Sequence, residues 1–121
     1  MKLMFFDDYR LGVLHDNRVF DVTNSVANAE ILPAQALIEL VIERFDKFQV
    51  EFERILSDQV GVPLNEVQAR APLPRPGSVI CAYSNFQDRD QTRKGPSQFF
   101  HKGSASIVGP GELVEIVDIP E

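Results

Sequence analysis

Asn85-Phe-Gln-Asp-Arg-Asp-Gln91 and Phe99-Phe-His-Lys102 are the two stretches whose residue types could do chemistry. The first is a polar run with Asp88, Arg89 and Asp90 at its centre, set between apolar segments. Most charge runs are solvated surface. A charged loop between two strands also fits an active-site lid, because a lid needs few buried contacts and turn residues close by. In the second stretch Lys102 follows two phenylalanines and a histidine on an expected strand. By pattern alone it is an edge-strand lysine that discourages aggregation. Its functional reading is a cation that binds a substrate carboxylate or enolate oxygen. His101 falls on the opposite face of a regular strand, so the two do not serve one pocket.

Three other candidates carry less. Cys81, on an apolar strand, reads as an inert core thiol rather than a nucleophile. Gly109-Pro-Gly111 lacks the Gly-x-x-x-x-Gly-Lys pattern and the following helix of a phosphate loop. His15 stands beside an expected turn and reads as solvated.

The elements that must position these residues divide near residue 70. Lys2–Phe6, Arg10–His15 and Arg18–Thr23 read as antiparallel strands, with Asp16-Asn17 as a two-residue turn. From Ile31 to Asp58, apolar residues recur mostly at spacings of three and four, which predicts one long amphipathic helix packed on that sheet. Pro72, Pro74 and Pro76 stand at alternate positions after it. Each removes a backbone donor and biases its predecessor away from helix, so an extended, stiff connection results and a central strand is excluded there. Ser78–Ser84 is expected as a short strand buried on both faces, Phe99–Lys102 as a second, Gly109–Gly111 as a turn and Leu113–Ile119 as a further strand. A stiff hinge, a buried strand and a charged loop at its C-terminal end commonly build a pocket mouth.

Composition excludes several function classes. With 121 residues there is room for one domain, or one small domain and part of another. An apolar content of 44% with 25% charged residues describes an ordinary globular chain rather than a disordered one. A net charge of −6 argues against a nucleic-acid surface or a polybasic membrane patch. No apolar run approaches the roughly 18–20 residues that span a bilayer, and the N-terminus lacks the features of a signal peptide. A single cysteine forbids an intrachain disulfide, which suits the cytoplasm.

The order of motifs resembles the fumarylacetoacetate hydrolase family. Pro74-Arg-Pro-Gly-Ser-Val-Ile-Cys81 looks like the family's turn into its first catalytic strand, and Asn85-Phe86 is similar to its Asn-Tyr step. Phe99-Phe-His-Lys102 is similar to its Phe-x-x-Lys step, and Ile107-Val-Gly-Pro-Gly111 to its Gly-Pro-Gly turn. The resemblance implies an α+β fold: a small N-terminal antiparallel sheet with one long helix over residues 1–70, then the first strands of a β-rich catalytic domain over 71–121. It implies Mg²⁺ or Mn²⁺ as cofactor and a small oxo-acid or dicarbonyl substrate. The reaction would be C–C bond hydrolysis, decarboxylation or isomerisation, in a homodimer. Asn85, Phe86 and Lys102 would line the substrate pocket. Arg89 stands where the family's lid histidine is expected and Thr92 where its paired acid is expected. Arginine cannot serve as a general base near neutral pH, so either Asp88 or Asp90 takes that role beside Arg89, the chemistry differs, or the site is weakened. The family's Glu-x-Glu pair and later aspartate would fall beyond Glu121, so the metal ligands are expected outside this chain, which reads as part of a longer enzyme. The alternative is a non-catalytic binding or assembly module derived from the same fold.

Overall fold

The computed structural model describes residues 1–83 and 98–114. They fall into two compact units: Met1–Pro74 joined by residues 107–114, and an excursion within Arg75–Ser106.

The first unit is built on a five-stranded antiparallel sheet in the order β4-β3-β2-β1-β5. Its centre is the meander of β1 (Lys2–Phe6), β2 (Arg10–His15) and β3 (Arg18–Asp21). The turn between β2 and β3 is the expected Asp16-Asn17 pair, with φ of 46° and 59°. Positive φ at both central residues is the type I′ geometry that matches strand twist, and Asp and Asn tolerate it better than other residues bearing a Cβ. The third strand ends at Asp21, sooner than the sequence suggests, and a short 3₁₀ turn follows at Thr23–Ser25. Thr23 continues the pairing by other means. Its hydroxyl accepts from the Leu11 N–H at 2.9 Å and donates to the Leu11 carbonyl at 3.3 Å. A side chain thus satisfies a backbone donor that the strand itself no longer reaches.

The helical segment corrects the expectation of one long helix. It comprises α1 (Ala34–Glu43) and α2 (Phe45–Asp58), separated at Arg44, whose φ of −123° and ψ of 32° leave the helical range. The apolar spacing runs on across Arg44 because one non-helical residue turns the axis without changing the residue count. Neither Pro nor Gly marks the break. Pro33 precedes the first turn of α1, where a missing donor costs nothing. Leu37, Ile38 and Val41 of α1 and Phe52 and Ile55 of α2 join Phe5, Leu11, Val13 and Phe20 of the sheet in one core cluster. Phe52 is fully buried, and its ring stacks on Phe48 at 5.9 Å between centroids. Burial of a side chain this size stabilises the fold by about 1.5–3 kcal/mol.

After α2 the chain supplies both edges of the sheet with two-residue strands, β4 (Val62–Pro63) against β3 and β5 (Ala69–Arg70) against β1. The connection is therefore more structured than a plain linker, although no central strand crosses the prolines. Pro63 sits on an edge, where its missing donor is tolerated.

The second unit holds β6 (Val79–Tyr83) and β7 (Gln98–Lys102), paired antiparallel with Val79 opposite Lys102 and Cys81 opposite Phe100. The strands stand where expected, but β6 is not buried on both faces. Ile80 is 60% exposed and Tyr83 56%. The apolar run fixed the strand, while burial needs a covering layer that a two-stranded ribbon does not provide. Gly109–Glu112 is a turn, as expected, closed by a bond from the Glu112 N–H to the Gly109 carbonyl at 3.2 Å. Pro110 occupies its second position and Gly111, with φ of 75°, its third, the type II arrangement. Leu113 and Val114 are not in a strand, and the rest of that expected element lies outside the described residues.

Candidate functional site

Of the residues assigned to catalysis or substrate binding, Lys102 is described, whereas Asn85, Phe86, Asp88, Arg89 and Asp90 lie outside the described residues. Lys102 ends β7, and side chains directly opposite in an antiparallel pair share a face. The register therefore puts Lys102, Phe100 and Gln98 on one face with Val79, Cys81 and Tyr83. His101 and Phe99 share the other with Ile80 and Ala82, so histidine and lysine are separated as alternation predicts. The Lys102 Nζ lies 5.9 Å from the centroid of the Phe100 ring, a cation–π arrangement that holds the ammonium over the face bearing Cys81. Cys81 is partly exposed, not a core thiol. It loses its core character because β7 is the one strand paired with β6 among the described residues. His15 is exposed, its Nε2 3.4 Å from the Asp16 carboxylate, in keeping with a solvated residue beside a turn.

A second polar cluster, in the first unit, was not legible in the sequence. Arg70 of β5 is held on three sides. Its Nε donates to the Asp7 carbonyl at 2.7 Å, its guanidinium lies 5.8 Å from the centroid of the Tyr9 ring, and its Nη1 donates to Glu112 Oε1 at 3.1 Å. The other Glu112 oxygen accepts from the Gly109 N–H at 2.7 Å. That backbone bond first, and the Arg70 guanidinium second, hold the Glu112 carboxyl below the ordinary carboxylate range. Gln68 extends the cluster by donating from Nε2 to the Pro110 carbonyl at 3.0 Å. Glycine and proline announce the turn, but nothing local pairs Arg70 with a residue 42 positions away.

Among the described residues no group of three or more His, Cys, Asp or Glu side chains is placed to hold a metal ion. A ligand set for the divalent cation that the resemblance implies is therefore not found among the described residues, in keeping with ligands expected beyond Glu121. No helix among the described residues is long and apolar enough to cross a membrane.

No protein-family model matches the chain. A curated maleylpyruvate hydrolase of Aquipseudomonas alcaligenes is 26% identical over 136 aligned positions, which cover 96% of this chain and 46% of that protein. The crystal structure of maleylpyruvate hydrolase from Sphingobium sp. SYK-6 superimposes with a TM-score of 0.73 at 27% identity, covering 89% of this chain. The likeness is to maleylpyruvate hydrolase. It extends over nearly all of this chain but only 40% of the Sphingobium maleylpyruvate hydrolase. A structure of the Sphingobium maleylpyruvate hydrolase in complex with manganese(II) and pyruvate gives a TM-score of 0.67 at 24% identity, a likeness of fold. The chain thus spans less than half the length of the maleylpyruvate hydrolases it matches. The α+β architecture, a small antiparallel sheet with two helices, is shared with that solved enzyme.

Proposed function

We propose that this chain forms the N-terminal domain and first catalytic strands of a metal-dependent hydrolase of the fumarylacetoacetate hydrolase family, acting on a small oxo-acid. The single observation that carries the reading is the superposition of 89% of the chain on a maleylpyruvate hydrolase with a TM-score of 0.73. The motif order over residues 74–111 supports it independently. Hydrolysis is preferred to decarboxylation or isomerisation because both relatives are hydrolases, and maleylpyruvate is the first substrate to try.

In this reading residues 1–70 are scaffold and 71–121 begin the catalytic domain. Lys102 attracts a carboxylate or enolate oxygen of the substrate, its ammonium restrained over Phe100. Asn85 and Phe86 bind the same molecule, and the Phe86–Asp90 loop closes as a lid that excludes bulk water. Asp88 or Asp90 accepts a proton from water, with Arg89 as a fixed positive charge beside it. A divalent cation, Mn²⁺ or Mg²⁺, would polarise the substrate carbonyl. Its ligands are to be sought outside the described residues. A homodimer in the cytoplasm is the expected setting.

The second reading is a binding or assembly module that kept the fold and lost the chemistry. Arg89 and Thr92 favour it, because they stand where the family's lid histidine and paired acid are expected. Turnover of maleylpyruvate and related oxo-acids by the protein purified from its source separates the two. Hydrolysis abolished by a chelator and restored by Mn²⁺ is the expected result. Turnover indifferent to chelation would sink the metal-dependent mechanism, and oxo-acid binding without turnover would favour the module.

A further inference from the structure

Alternation gives each face of the β6–β7 ribbon its own chemistry. One face, with Ile80 and Phe99 at its centre, bears no permanent charge. The other is a row of three cross-strand pairs: Val79 with Lys102, Cys81 with Phe100, and Tyr83 with Gln98. Its one permanent charge is the Lys102 ammonium, and none of the six residues is acidic, although the whole chain carries a net charge of −6. An anion approaching the ribbon is therefore drawn to this second face and meets no carboxylate on it.

The order of groups along that face sets what it can hold. At one end the Lys102 Nζ lies 5.9 Å from the Phe100 ring centroid, so the ammonium leans toward the middle of the row. The middle is apolar, with Phe100 43% exposed and Cys81 half-buried opposite it. At the far end stand a phenol and a carboxamide, both exposed. Each offers a neutral donor to an oxygen. From Phe100 to the Tyr83–Gln98 pair is a step of two residues, about 7 Å at the rise of a strand. A ligand with an acidic group at each end can engage both ends of the row, whereas a monoacid engages one.

We propose that Tyr83 and Gln98 determine specificity: they bind the far carboxylate of an oxo-diacid whose near end is held by Lys102, with its carbon chain over Phe100 and Cys81. The proposal rests on the hydrolase reading for the role of Lys102, and narrows the substrate from an oxo-acid to an oxo-diacid. The division of labour is physical. The ammonium selects an anion over a neutral molecule, while hydrogen bonds from neutral donors to a charged oxygen are strong enough to tell a carboxylate from a methyl group.

The test compares two probes of equal chain length, 2-oxoadipate and 2-oxohexanoate, which differ in whether the far end is a carboxylate or a methyl group. Their affinities for the full protein are measured by titration calorimetry with Mn²⁺ in the buffer, so the readout does not depend on turnover. The unsubstituted protein should bind the diacid roughly tenfold more tightly. Tyr83→Phe combined with Gln98→Leu should bring that preference within about twofold by weakening the diacid alone. Gln98→Glu should reverse it, since a carboxylate there repels the far end and leaves the monoacid untouched. Lys102→Met should weaken both probes by roughly tenfold. Should the double variant fail to fold, Tyr83→Phe alone, which removes one oxygen, reads the same ratio. Equal binding of the two probes by the unsubstituted protein, or a preference that survives the double variant and Gln98→Glu, would overturn the specificity role while leaving the hydrolase reading standing. Binding of neither probe would remove Lys102 from substrate recognition and this proposal with it. A diacid preference without turnover of any oxo-acid would uphold Tyr83 and Gln98 and sink the hydrolase reading.

Discussion

Replacing Thr23 with valine isolates a single hydroxyl in the core of the first unit. Thr23 is 5% exposed and Leu11 0%. The hydroxyl is the partner of the Leu11 N–H at 2.9 Å. Valine keeps the shape of the side chain and has no oxygen. The Leu11 carbonyl keeps its bond from the Val22 N–H at 3.0 Å, so the acceptor side loses little. The donor side loses its partner at a position water does not reach. A buried unpaired amide costs about 1–3 kcal/mol, while a methyl in place of a hydroxyl recovers at most about 0.8 kcal/mol of apolar burial. The expected net loss is therefore about 1–2 kcal/mol. Urea unfolding followed by far-UV circular dichroism should show a midpoint lower by about 1 M with the slope unchanged. Thr23→Ser is the control, since it keeps both hydrogen bonds and deletes one methyl. If valine were tolerated within about 0.5 kcal/mol, or serine cost more than valine, the hydroxyl would not be what joins Thr23 to β2.

Phe52→Ala should destabilise the fold by about 3–5 kcal/mol, because the ring is fully buried and the surrounding helices and sheet can only partly collapse on the space; thermal unfolding measures it. The Asp21 carboxyl is pushed up by partial burial, but bonds from Arg10 and Thr23 outweigh this and hold it below its usual 3.8. A depressed folded-state value means its stabilisation is complete above the unfolded value and fades as pH falls through the folded one. The stability difference between the protein and Asp21→Asn should thus be flat above about pH 5 and shrink below about pH 4. A difference that grows on acidification would contradict that sign. Lys102→Met keeps the side-chain length and removes the charge, so KM for an oxo-acid should rise roughly tenfold in steady-state kinetics if Lys102 meets the substrate.

What the sequence disclosed and withheld follows from the range of each signal. Strand alternation, the Asp16-Asn17 turn and the apolar stripe of the helices are local patterns, and the elements they predict are present. The break at Arg44 preserved the spacing and was invisible to it. The exposure of Ile80 and Tyr83 could not be read, because an apolar run is the same whether or not anything covers it. Arg70 and Glu112 meet across 42 positions, and Thr23 reaches Leu11 across 12, distances over which residue type alone gives no pairing rule. Lys102 was legible as a residue on a strand opposite in face to His101. Its ring contact with Phe100 follows from their shared face, two positions apart.

The two short edge strands have a consequence for how this sheet is made. β1 is synthesised first, yet its outer edge is paired by Ala69–Arg70, and the outer edge of β3 by Val62–Pro63. During translation the hairpins of β1, β2 and β3 can form as soon as they emerge, but both flanks stay open until the helices and the segment behind them have followed. For that interval the nascent chain carries two unpaired edges, open to strands of neighbouring chains. Closure comes late and on both sides together, because one segment supplies both strands. Substitutions that slow the emergence or docking of residues 59–70 should therefore lower the yield of soluble protein more than they lower the stability of the finished fold.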